Sequence, residues 1–144
     1  ILRLIQPKLV QDVNQLRVHE ISALAVEIVA SFKATTCKNE VQQTILLLSS
    51  SFFKKINAAN PLDLANMTMA LTEMDIIHPS LMEAISKAAC IQIGLFDGPE
   101  LADIMIAFSR LHIISDLLQQ KGVDQLRNRI HTLYPVQLAN LDLL

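Results

Sequence analysis

Asn60-Pro61-Leu62-Asp63-Leu64-Ala65-Asn66-Met67 starts like a helix and carries a signal that returns along the chain. Asn60 suits the helix cap, Pro61 the first helical position, and Asp63 sets a carboxylate against the positive end of the helix dipole. The triplet Leu64-Ala65-Asn66 recurs as Leu101-Ala102-Asp103 and as Leu138-Ala139-Asn140, 37 residues on at each step. Pro61 and Pro135 stand three residues before the first and third copies, and Pro99 two before the second. A looser copy, Leu24-Ala25, sits 40 residues before the first. A fixed period of this length marks supersecondary units that bury their apolar faces only against their neighbours. The expected fold is therefore all-α: an α-solenoid, a right-handed superhelix of helix–turn–helix repeats of about 37 residues.

Each unit reads as two helices. After Asn60, the residues Leu64, Met67, Thr68, Leu71 and Met74 fall on one helical face. A break at Asp75-Ile76-Ile77 leads to His78-Pro79 and a second stripe of Leu81, Ile85, Ala88 and Ala89, with Gly94 as the stop. The next unit opens at Asp97-Gly98-Pro99 and carries Leu101, Ile104, Met105, Phe108 and Leu111 inward. Ser115 is placed to cap its partner helix, and Gly122 to break or kink that helix before Leu126, Ile130 and Leu133. Tyr134-Pro135 begins a further first helix. Upstream, Ile21, Leu24, Ala25, Ile28 and Phe32 form a first helix. Asn39 and Gln42 give a capping-box start to a second helix with Val41, Ile45, Leu48, Phe52 and Ile56 inward. Leu4-Ile5-Gln6-Pro7-Lys8-Leu9 matches Ile76-Ile77-His78-Pro79-Ser80-Leu81, so an earlier unit is cut into.

The expected organisation is one domain over 1–144, with units at 1–18 (partial), 19–58, 59–96, 97–133 and 134–144 (partial). Both chain ends are apolar and lack the polar capping repeat that solenoids need, so an excerpt of a longer protein is expected. The five-residue pairs Ala25/Ala30, Ala65/Ala70 and Ala102/Ala107 predict close helix approach at equivalent places.

The totals narrow the function classes. A chain of 144 residues that is 51% hydrophobic buries a sizeable core and is not a disordered tail. A net charge of −2 gives no global attraction to nucleic acid or anionic lipid. The charge is uneven: residues 57–106 set Lys87 against Asp63, Glu73, Asp75, Glu83, Asp97, Glu100 and Asp103, a net of −6 that leaves +4 elsewhere. Cys37 and Cys90 follow no ligand or redox spacing, which predicts two buried, reduced thiols. No apolar run reaches the roughly 18 residues of a membrane-spanning helix.

The pattern Pro-x-x-Leu-Ala-Asn, then Ala-Leu-x-x-Met, then x-x-Pro-x-Leu-x-x-Ala-Ile resembles the 37-residue heptatricopeptide-type repeats of RAP-domain and FAST-kinase-like proteins. Asn60 through Ile85 and Pro99 through Leu118 carry the match, with Leu24 to Phe32 and Pro135 to Asn140 more distant. The aromatic residue common in the middle of that family's first helix is replaced by Thr68 or Met69, and in the next copy by Met105 or Ile106. The resemblance implies a non-catalytic RNA-binding segment acting in a mitochondrion, or alternatively a plastid. Its implied partners are organellar rRNA or mRNA and neighbouring proteins of a large ribonucleoprotein, concretely a mitochondrial ribosome. The alternative is a structural protein–protein scaffold that reads no RNA.

Modular RNA readers use equivalent polar positions in successive repeats, roughly one base per repeat. The position after Leu-Ala supplies Asn66, Asp103 and Asn140, and seven residues further along the same face lie Glu73 and Arg110. These five are the base-contact candidates. Lys54, Lys55, Lys121, Arg127 and Arg129 are the phosphate-contact candidates. His19, His78, His112 and His131 show no metal spacing, so no metal or other cofactor is expected. With no Gly-rich phosphate loop, nucleophile elbow or Ser/His/Asp pattern, neither enzymatic chemistry nor a small-molecule substrate is expected.

Overall fold

The computed structural model describes residues 12–32, 38–113 and 115–140. Among them are seven α-helices and no strand: α1 (Val18–Phe32), α2 (Lys38–Lys54), α3 (Pro61–Glu73), α4 (Pro79–Ile91), α5 (Gly98–Arg110), α6 (Asp116–Arg127) and α7 (Pro135–Ala139). Single 3-10 turns at Val13–Gln15, Ile56–Ala58, Ile93–Leu95 and Ile130–Thr132 lead into α1, α3, α5 and α7. The starts of α3, α5 and α7 are 37 residues apart, as are those of α4 and α6 and those of the last three turns.

Local chemistry explains the shared boundaries. Asn60 and Asp97 each cap a helix in a reciprocal box, with Asp63 and Glu100 returning a carboxylate to the cap N–H. Both first helices also end alike. Asp75 and His112 take φ of 54°, a left-handed conformation that Asp and His tolerate better than most non-glycine residues. Ile76 N–H then donates to the Leu71 carbonyl at 2.9 Å and Ile113 N–H to that of Phe108 at 3.0 Å, the six-residue closure of a Schellman motif.

The first unit runs on a different register. From the start of α1 to the start of α3 is 43 residues, because α1 has 15 residues against 13 in α3 and α2 has 17 against 13 in α4. Ile21-Ser22, not Leu24-Ala25, is thus the counterpart of Leu64-Ala65. The hydrogen bond from Ile21 N–H to the Arg17 carbonyl matches the one from Leu64 N–H to the Asn60 carbonyl. Ala30 accordingly falls at the place of Glu73 and is exposed, while Ala25, Ala65, Ala70, Ala102 and Ala107 are buried.

The first helices touch in sequence, α1 on α3, α3 on α5 and α5 on α7, and each of α1, α3 and α5 packs on its own second helix. One core runs through them, with Ile21, Ile45, Leu64, Met67, Leu71, Leu81, Ile85, Leu101 and Ile104 fully buried. Gly122 does not break α6. It lies buried inside that helix, where an added Cβ would stand 2.3 Å from Met105 Sδ, so its lack of a side chain lets α6 approach α5. Gly94 is not a helix stop either, because α4 ends through Gln92 and Gly94 lies within the following turn at negative φ. Asn39 lies inside α2 rather than capping it, and Gln42 Nε2 instead donates to the Met74 carbonyl at 2.9 Å. Ser115 precedes α6 without a side-chain cap, its hydroxyl meeting that of Ser86. Ile130 is exposed rather than inward.

Cys90 is buried, and desolvation raises its thiol pKa. Cys37 and the repeat match at 4–9 lie outside the described residues. No described helix is long and apolar enough to cross a membrane.

Candidate functional site

Three first helices line an open cleft with room of about 140 Å³. α3 contributes Met69, Thr72 and Glu73 from its last turn. α5 contributes Asp103, Ile106, Ala107 and Arg110, whose i, i+3, i+4, i+7 spacing puts them on one helical face. α7 contributes Val136 and Gln137, and Asn140 joins them from its C-terminal cap. Four of the five base-contact candidates, Glu73, Asp103, Arg110 and Asn140, therefore share one cleft. Asn66 is half-buried on α3 and lies outside it.

Gln137 organises the floor and was not singled out from the sequence. It is buried, and its Nε2 donates to the Pro99 carbonyl at 2.9 Å and to Asp103 Oδ1 at 2.7 Å, while its Oε1 accepts from Tyr134 N–H at 3.0 Å. One amide thus joins the α7 cap to α5 and leaves Asp103 Oδ2 outside this bond. Gln137 occupies the 37-residue counterpart of Asp63 and Glu100, a signal the sequence did contain. Asn140 Nδ2 donates to the Val136 carbonyl at 2.7 Å.

Burial raises the pKa of Asp103, against the lowering effect of the Gln137 bond, and Asp97 adds a like charge. Burial likewise raises that of Glu100. A raised folded-state pKa means that the folded chain holds this proton more tightly than the unfolded chain does. The associated stability is present in acid and is lost as pH rises through the folded value. Asp103→Asn is accordingly expected to raise the melting temperature at pH 7, with the gap to the parent chain closing below the ordinary aspartate range. Thermal melts across pH check this.

The phosphate-contact candidates divide. Lys54, Lys121 and Arg127 are exposed on second helices. Lys55 and Arg129 are not free: they tie successive units together. Lys55 Nζ donates to the carbonyls of Leu16 and, at 2.8 Å, Asn14, and Arg129 Nη1 donates to that of Phe96. Gln92, 37 residues after Lys55 and before Arg129, donates in the same way to the Ala59 carbonyl at 2.9 Å. Each long side chain satisfies the carbonyl that ends the turn of the preceding unit. Arg129→Ala is expected to lose about 1 kcal/mol in urea unfolding, whereas Arg127→Ala leaves stability unchanged.

The fold also gathers Ser22, His19 and Asp63, a set their sequence spacing does not reveal. Ser22 Oγ donates to Asp63 Oδ1 at 2.8 Å, and His19 Nδ1 meets Asp63 Oδ2. The serine's acceptors are thus the carboxylate and, at 3.1 Å, the His19 carbonyl rather than an imidazole, and Ser22 is buried, so the trio links α1 to α3 instead of forming a nucleophile. His78 caps α4, accepting from Leu81 N–H at 3.1 Å, and its ring stacks on Phe53. No group of three or more His, Cys, Asp or Glu among the described residues could hold a metal ion. Comparison with protein-family models, curated proteins and solved structures finds no match to this chain.

Proposed function

We propose that the helix pairs pile into a right-handed α-solenoid segment whose first-helix face binds single-stranded RNA without catalysing a reaction. The observation that carries this reading is the cleft, in which Glu73, Asp103, Arg110 and Asn140 converge from three successive first helices. Equivalent repeat positions that meet on one concave surface are the arrangement by which helical-repeat proteins read nucleotides in series. Lys54, Lys121 and Arg127 are the exposed phosphate-contact candidates. The resemblance to heptatricopeptide-type repeats supports a place in an organellar ribonucleoprotein, concretely a mitochondrial ribosome, with a plastid as the alternative.

A second reading, a protein scaffold, draws on a different observation. Ile91, Leu95, Ile130 and Tyr134 are exposed around the turns that lead into the first helices, and the 57–106 segment is acidic. Polar-rimmed apolar surface of this kind marks protein contacts.

Titration of a labelled single-stranded RNA across a salt series separates the two. RNA binding is expected to weaken steeply with salt, and Lys121→Ala with Arg127→Ala to flatten the log–log slope by about 1.4, two contacts at roughly 0.7 each. Undetectable binding at about 50 mM salt, where phosphate contacts are strongest, overturns the RNA reading and leaves the scaffold.

A further inference from the structure

We infer that the cleft between α3, α5 and α7 selects a guanine base, an inference that rests on the RNA reading and sharpens it.

The two ends of the α5 face carry opposite chemistry. Asp103 accepts hydrogen bonds when ionised, and Gln137 engages its Oδ1. Arg110, seven residues further along and exposed, presents a donor fork. Two helical turns separate their backbones by about 10.5 Å. The longer reach of the arginine side chain lets the two groups meet adjoining edges of one flat two-ring base, each at a hydrogen-bond distance of about 2.9 Å. A single-ring pyrimidine lacks an edge with two adjacent donors beside an edge with two adjacent acceptors, so it does not satisfy both groups at once.

Of the two purines, only guanine matches both ends. Its N1–H and exocyclic N2 amine form a two-donor edge for a carboxylate, and its O6 and N7 form the acceptor pair that arginine reads bidentately. Adenine turns its N1 acceptor toward the carboxylate and its N6 donor toward the guanidinium, a mismatch at each end. Between Asp103 and Arg110 lie Ile106 and Ala107, with Met69 across the cleft, an apolar floor for the ring face. The Met69 sulfur adds a favourable sulfur–aromatic contact. Glu73, the counterpart of Arg110 on α3, places a second carboxylate at the rim and strengthens discrimination against bases that offer only acceptors there.

The test uses the full 144-residue chain and fluorescence anisotropy on a labelled uridine 12-mer with two central positions changed to guanosine, adenosine, cytidine or inosine. Guanosine is expected to bind about tenfold more tightly than adenosine or cytidine. Inosine, which lacks only the N2 amine, is expected to lose most of that gain. Asp103→Asn is expected to bind the guanosine and inosine oligomers equally. Arg110→Ala is expected to lose the preference for both over adenosine, with circular dichroism confirming the fold of each variant. Equal binding of all four oligomers, or an inosine penalty that persists in Asp103→Asn, overturns the guanine assignment while leaving RNA binding intact. No binding of any oligomer at about 50 mM salt removes the RNA reading itself.

Discussion

Leu64→Ala and Leu101→Ala are each expected to lose about 2–5 kcal/mol of unfolding free energy, whereas Leu138→Ala loses well under about 1 kcal/mol. The three leucines hold the same repeat position, so propensity and local sequence cannot separate them. Burial does. Leu64 and Leu101 are 0% exposed and Leu138 is 42% exposed. Truncating the first two removes apolar surface from the core and leaves a cavity among fully packed neighbours. At α7 no second helix packs alongside among the described residues, and water already reaches the side chain. Urea denaturation of the three variants gives the comparison. Similar losses at all three positions would show that burial at this position does not follow the packing of first helices on their neighbours.

Removing the carboxylate of Asp63 has the other large effect: Asp63→Ala is expected to cost about 2–4 kcal/mol. Asp63 is 3% exposed and receives hydrogen bonds from Asn60 N–H at 3.1 Å and Ser22 Oγ at 2.8 Å, with His19 at its other side. Its loss breaks the Ser22 bond that ties α1 to α3, leaving that hydroxyl only the His19 carbonyl of its own helix at 3.1 Å, and removes half of the capping box on α3. Ser22→Ala combined with Asp63→Ala is therefore expected to be less destabilised than the sum of the single changes, because both remove the same Ser22–Asp63 bond. Asp63→Asn, which keeps one acceptor oxygen for Ser22, falls between. A cost below about 0.5 kcal/mol for Asp63→Ala, the range of ordinary surface changes, would mean that the trio does not hold α1 to α3.

Much of this architecture was legible before any coordinates. Asn60-Pro61 and Asp97-Gly98-Pro99 announced helix starts because caps and prolines act through their own few neighbouring peptide groups. The 37-residue period fixed where the later first helices begin, and the inward stripe from Leu64 to Met74 is buried throughout. The same reading misplaced the first unit. Leu24-Ala25 looks like Leu64-Ala65 as a string, but Ile21-Ser22 fills that place, because the extra residues lie in longer helices rather than at the repeat boundary. The five base-contact candidates were found by counting from the motif, and counting brought four of them to one cleft. Gln137 was overlooked because its importance comes from two partners on α5, at Pro99 and Asp103, that no local pattern links to it.

Helix formation, the Asn60 and Asp97 caps and the apolar faces are readable from the residue order, since each of these depends on interactions within one or two helical turns. The tertiary structure alone decided that Lys55 and Arg129 spend their charge on carbonyls of the preceding unit. It alone placed Asp63 between His19 and Ser22, and set Asp103 half-buried beside Gln137. Those outcomes depend on which surfaces meet when one helix pair packs on the next, and residues more than 30 positions apart acquire a common environment only through that packing.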